Sequence, residues 1–219
     1  MVTFDQIAHN ESIKTYIRKA DDALRVLGYT EHSFAHVTKV ARKAREILLT
    51  LGYPERTAEL AQIAGYLHDI GNVINRADHA QSGAVMAFRI LDKLGADAED
   101  TATIISAIGN HDEGTAFPVN PIAAALILAD KTDVRRSRVR NRDFANFDIH
   151  DRVNYAVQKA TARISEDKKA FILNIHIDTE ISAVMDYFEI FLGRMTLCRR
   201  AADRLGLKFQ LVINDQVLL

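Results

Sequence analysis

The chain has 219 residues, 48% of them hydrophobic, enough for one large core. Its 28 Lys and Arg nearly cancel its 29 Asp and Glu, so no overall field draws it to nucleic acid or an anionic membrane, and any anion binding must be local. The lone cysteine, Cys198, excludes an internal disulfide framework, and the opening MVTFDQIAHNESIK lacks a signal-peptide pattern; with no stretch long enough to span a bilayer, a cytoplasmic protein is expected.

Residues 11–27 place Ile13, Tyr16, Ile17, Ala20, Leu24 and Leu27 on one helical face, with Asn10 as N-cap and Gly28 past the end. A second helix is expected from about Glu31 to Thr50, with His36 mid-way along it. The third carries QIAGYLHDIGN, residues 62–72, and ends with His68 and Asp69 on its last turn and Gly71 as a left-handed terminator. A fourth helix over roughly 79–93 opens on His79, and a fifth over 98–108 leads to His111 and Asp112. A sixth starts near Pro121 and runs towards Arg135, with Asp130 near its middle.

The pattern changes near Asn141. Val153, Tyr155 and Val157 alternate, a polar SEDKK turn follows, and Phe171, Leu173, Ile175 and Ile177 alternate again, which reads as a β-hairpin. A long helix from about Glu180 to Leu205 and a strand over Lys208–Ile213 complete a ββαβ unit. The fold expected is mostly α, a helical bundle over residues 1–145 followed by a small α+β domain over 146–219. The long helix is apolar around most of its circumference between Ile181 and Cys198, so it needs cover from its own sheet and from either the helical domain or a second copy; a homodimer is one expectation.

His36, His68, Asp69, His79, His111 and Asp130 each lie in or beside an apolar helix, where a polar ring or carboxylate is out of place unless occupied. A single such histidine reads most simply as a hydrogen-bonded core residue. Together they form an imidazole and carboxylate set without thiolate, which suits one or two divalent ions among Mn, Fe, Co, Ni, Zn and Mg.

His36, then His68-Asp69, then Asp130 resembles the H…HD…D signature of the HD-domain superfamily of helical, metal-dependent phosphohydrolases, over roughly residues 30–135. The surrounding AGYLHDIGN and LILADKTD segments are similar to the family's own. His79 and His111 resemble its two-metal branch, which includes bacterial hydrolases of dinucleoside tetraphosphates. That resemblance implies one ion on His36, His68, Asp69 and Asp130, with Asp69 bridging to a second on His79 and His111. Asp112 departs from the branch, which often carries His or Thr there.

Paired ions of this kind activate water and clamp the oxygens of an in-line displacement at phosphorus, without a protein nucleophile. Asp69, Asp130, Lys131 and Asp133 are expected at the reacting centre. The run KTDVRRSRVRNR, residues 131–142, offers phosphate ligands, first Lys131 and one of Arg135, Arg136 and Arg138, with Arg140 and Arg142 behind them. The loop after Glu113 is expected at a pocket wall. His32 reads as a helix-surface histidine, His9, His150 and His176 as structural, and Cys198 as a buried inert thiol.

The function expected is hydrolysis of a small phosphorylated substrate, a nucleotide or other phosphate ester, with no partner membrane and no strong nucleic-acid signal. Two alternatives share the ligands: a di-iron oxygenase of the HD type, and a non-catalytic module in which the C-terminal unit senses a ligand.

Overall fold

A computed structural model describes residues 1–141 and 143–218, which leaves Arg142 of the basic run outside the described residues. Seven helices form the first part: α1 (Phe4–Ala8), α2 (Glu11–Val26), α3 (Phe34–Thr50), α4 (Glu55–Leu67), α5 (His79–Lys93), α6 (Ala98–Gly109) and α7 (Pro121–Lys131). Then come α8 (Ile149–Ala156), β1 (Val157–Ile164), β2 (Ala170–Ile177), α9 (Val184–Arg204), β3 (Lys208–Ile213) and a short β4 (Gln216–Val217). The sheet order is β1-β2-β3-β4, with β2 and β3 parallel and both outer pairs antiparallel. The mostly helical fold with a small C-terminal sheet is thus the one the residue pattern implies.

Capping explains most helix starts. The side chains of Asn10, Ser33, Asp97 and Asn120 each accept a backbone N–H in the first turn of the helix they precede. Ser33 moves the start of α3 to Phe34, so His36 lies in the first turn and not mid-way as its spacing suggested. Likewise α7 stops at Lys131 instead of running to Arg135, because the Thr132 hydroxyl donates to Leu128 O and the chain leaves the helical path. Asp130 therefore sits in the last turn of α7.

Two glycines set how closely the central elements approach. A Cβ on Gly65 would lie 2.8 Å from Ala41 Cα, so α3 and α4 meet there only because that atom is missing. Gly71, expected as a left-handed terminator, has an ordinary backbone conformation within a 3-10 turn over Ile70–Val73. Its Cβ would lie 2.0 Å from His79 O and 2.5 Å from Gly83 N. What the site requires of Gly71 is room for that turn to press on α5.

The hairpin is displaced from its expected place. Val153 and Tyr155 belong to α8, which Asp148 starts by accepting the Asp151 N–H, and β1 begins only at Val157. The period-two alternation coincided with a helical face on which Val153 and Ala156 are both buried. Helix α9 packs between the sheet and α7, which cover Tyr187, Phe191 and Met195, while Met185 and Leu192 on the same helix stay exposed. The buried core runs without interruption from α3, α4 and α7 through Tyr187, Phe191 and Met195 of α9 to the strands. Cys198 is buried and free, and burial pushes its thiol pKa up. No helix among the described residues is long and apolar enough to cross a membrane.

Candidate metal centre

The first turn of α3, the end of α4, the start of α5, the turn after α6 that carries His111 and the end of α7 meet at one point, and each brings a polar side chain. His36 (0% exposed), His68 (0%), Asp69 (5%), His79 (2%) and His111 (1%) are buried there, with Asp130 beside them. All six residues that the sequence singled out as metal ligands converge.

The four imidazoles share one arrangement. Nδ1 of His36 lies 2.9 Å from Asp133 Oδ2, that of His68 2.8 Å from Gly65 O, that of His79 3.0 Å from Arg76 O, and that of His111 2.6 Å from Ile108 O. A carbonyl or an ionised carboxylate can only accept, so in each ring Nδ1 carries the proton, and in the neutral ring Nε2 presents a bare lone pair. All four Nε2 atoms face inward. Those of His36 and His68 are buried without a hydrogen-bond partner, as is Asp69 Oδ2.

The lone pairs fall into two groups, and Asp69 touches both. Its Oδ2 lies 3.1 Å from His68 Nε2 and 3.6 Å from His36 Nε2, while Asp130 Oδ1 lies 3.3 Å from His36 Nε2. Its other oxygen, Oδ1, lies 3.5 Å from His79 Nε2 and 4.0 Å from His111 Nε2. The His79 and His111 Nε2 atoms are 3.2 Å apart. An ion about 2.1 Å from each of two imidazole nitrogens sets them roughly 3.0–3.4 Å apart at the usual angles, so this pair has the spacing a metal would impose. Two triads, His36 with His68 and Asp130 and His68 with Asp69 and His111, each gather their ligand atoms within 4.8 Å.

Electrostatics point the same way. Burial opposes a charge on His68, but Asp69 outweighs it and raises the pKa, so that ring takes up a proton that a bound cation would displace. Burial pulls His111 down to about 3, helped by the charges of His68 and Lys131, and burial also lowers His79 despite Asp69. Both rings are neutral near pH 7, which leaves two lone pairs opposed at 3.2 Å with no proton between them. Burial works against a charge on Asp69 and on Asp130. For Asp69 the His68 ring outweighs it, and for Asp130 the Lys131 ammonium does, so both carboxyls stay well below the usual range. The donor set, its burial and its orphaned atoms fit divalent cations.

Above this floor opens a cavity of about 400 Å³, and the structure sorts the remaining candidates by whether they reach it. Lys131 does, with Nζ 2.8 Å from Asp130 Oδ2 and 3.5 Å from Glu113 Oε2. Arg138 also lines it, though its guanidinium donates to Glu31 O and Asp133 O. Arg135 and Arg136 do not, so Arg138 is the one of the three arginines brought to the cavity: Arg135 pairs with Glu31 and Asp133, and Arg136 lies over the Tyr155 ring and donates to Tyr155 O. Arg140 pairs with Asp21. Asp133 stands behind His36, held by Lys39, Arg135 and Arg138, so it orients a ring and does not face the cavity.

Arg76, Arg194, Asn154, His150, Asp148 and Asp151 also line the cavity, and the sequence pattern marks none of them as site groups. Arg76 lies three residues before His79, and Arg194 interrupts an apolar helix; both are signals a search for isolated cations would have caught. Asn154 lies in the part of α8 expected as strand, and His150, ahead of that stretch and expected to be structural, opens onto the cavity from the start of the same helix. His32, expected on a helix surface, also faces the cavity, its ring edge-on to His36 at 5.4 Å, and burial holds its pKa well below the usual range. Asp112 lies 3.9 Å from both His79 Nε2 and Arg76 Nη2. Glu113, next to it, ties α7 to α9 through Lys131 and Arg194. Burial opposes its charge, but those two cations bring its pKa down to about 2.

Converging histidines and aspartates thus frame, in a helical bundle, a buried site that could hold a metal ion. Residues 33–189 match the HD domain, most of the chain, and the protein belongs to that family. It is similar to an uncharacterized protein of Methanocaldococcus jannaschii, 24% identical over 210 residues, which cover 85% of this chain and 79% of that one. A ribonuclease Y of Bacillus pumilus is 28% identical over 133 residues, but the match spans 58% of this chain and only 24% of that protein. Among solved structures, a predicted HD superfamily hydrolase from an uncultured Thermotogales bacterium aligns at 26% identity, covering 60% of this chain and 72% of that one, with a TM-score of 0.47.

Proposed function

We propose that the protein is a metal-dependent phosphohydrolase acting on a small phosphorylated substrate of the nucleotide class, at a phosphoester or phosphoanhydride bond. The observation that carries this reading is Asp69, which turns one carboxylate oxygen to each of two histidine groups as a ligand shared by two ions would. His36, His68 and Asp130 would hold one ion and His79 and His111 the other, as in the two-metal branch of the family. When bound, such ions supply an activated water near neutral pH and a Lewis acid at phosphorus. The imidazole-rich set favours Mn, Fe, Co, Ni or Zn over Mg.

The rest of the chemistry falls to the protein's own groups. The Lys131 ammonium is kept charged because Asp130 and Glu113 outweigh its burial, so it offers a fixed cation beside the floor for charge that develops on phosphate oxygens. Arg76, over the Tyr29 ring at 5.5 Å, adds a second on the side of His79 and His111. A cavity of about 400 Å³ lies within the range of small-molecule sites and is too small for a folded macromolecule. The name ribonuclease Y denotes hydrolysis at phosphorus in that relative, and the same bond class is proposed here.

The test is hydrolysis of a panel of nucleotides and phosphate esters by protein loaded with Mn or Fe, alongside metal analysis. Wild type should release phosphate or a nucleoside phosphate, and Asp69→Ala should keep its helical spectrum while losing the activity. If the metal-loaded wild type is inert across the panel, the phosphohydrolase reading fails.

A further inference from the structure

We propose that Arg194 of α9 is the residue that grips the substrate's phosphate with its guanidinium fork, and that Glu113 is its positioning residue; this rests on the phosphohydrolase reading. Arg194 lies beyond residues 33–189 that match the HD domain, yet it lines the same cavity as Asp69, His79, His111 and Asp130. The C-terminal part of the chain thereby completes the site.

The guanidinium is held on two sides and free on the rest. Glu113 Oε1 lies 2.6 Å from Arg194 Nε as an ion pair, and the Phe191 ring lies 4.7 Å below Cζ. The contact with Glu113 lacks hydrogen-bond geometry, since Oε1 is buried without a hydrogen-bond partner. Among the described residues the Arg194 guanidinium donates no hydrogen bond. The other cavity cations are engaged: Lys131 with Asp130, Arg138 with two carbonyls, and Arg76 with Asn72 and His79. A planar, pre-oriented fork with unused N–H groups matches two oxygens of a phosphate, which a point charge such as Lys131 cannot do.

A purely structural arginine would brace α9 against the Glu113 loop and leave ligand affinity alone. The experiment is calorimetric titration of inorganic phosphate into the Mn-loaded full chain, as wild type, Arg194→Ala and Arg194→Lys, with metal content and melting temperature checked for each. Phosphate affinity should fall at least about tenfold in Arg194→Ala, the scale of a hydrogen bond to a charged group, and recover only in part in Arg194→Lys, which keeps the charge and loses the fork. On any ester the wild type turns over, KM should rise more than kcat falls. Should Arg194→Ala not fold, Arg194→Lys alone carries the comparison. Equal phosphate affinity in wild type and variants, or no phosphate binding by wild type, overturns the assignment. Phosphate binding that depends on Arg194 in a protein that hydrolyses no ester would sink the phosphohydrolase reading and leave this one standing.

Discussion

The floor and the wall of the cavity are built on different terms. The floor, His36, His68, Asp69, His79 and His111, is at most 5% exposed, and every ring is locked through Nδ1 to a backbone carbonyl or to Asp133. The wall, Arg76, His150 and Arg194 among others, is partly open to solvent and stands on segments that meet only in the folded chain. A metal floor must be preorganised before the ion arrives, because the cost of gathering lone pairs has to be met by packing. A wall that recognises substrate can vary without disturbing the chemistry below it.

Variants should split along this line, and the largest effect belongs to the floor. Asp69→Ala should abolish both hydrolysis and stoichiometric metal by elemental analysis; a variant that keeps its full metal content would break the distinction. Gly71→Ala comes next, since its Cβ would meet His79 O at 2.0 Å and neither backbone can give way easily. Denaturant unfolding should show a loss of about 3 kcal/mol or more, the upper range for overpacking. Smaller is Asp133→Asn, which keeps an acceptor for His36 Nδ1 but removes its charge: metal affinity measured with a competing chelator should fall about 10–100-fold with the fold intact.

The smallest effect lies in the wall. Glu113 has its pKa pulled to about 2 by Lys131 and Arg194 against the burial that opposes its charge, below the ordinary glutamate value of 4.5. Its folded-state pKa is depressed, so its stabilising contribution is full above about pH 4.5 and is lost as pH falls towards 2. The gap in unfolding free energy between wild type and Glu113→Gln should therefore be constant near neutral pH and close on acidification. A gap that persists unchanged at pH 2 would show that the pairing with Lys131 and Arg194 contributes nothing.

The amino-acid order alone determined helices α2 to α7, though not α1, the start of α3 or the end of α7, because the 3.6-residue periodicity is a local property that tertiary contacts did not override. It also marked out His36, His68, Asp69, His79, His111 and Asp130, since buried polar groups in apolar helices stand out against their neighbours. Tertiary structure decided the rest. Thr132 turns the chain out of α7, so Arg135 and Arg136 find acids and carbonyls elsewhere, while Arg194, hidden in a helix read as core, is carried into the cavity by the packing of α9 on α7. The end of helix α8, from Val153, passed for a strand because so short a stretch fits either period until Asp148 and the packing around Val153 choose one. Local pattern tells which residues must be satisfied, and only the fold tells what satisfies them.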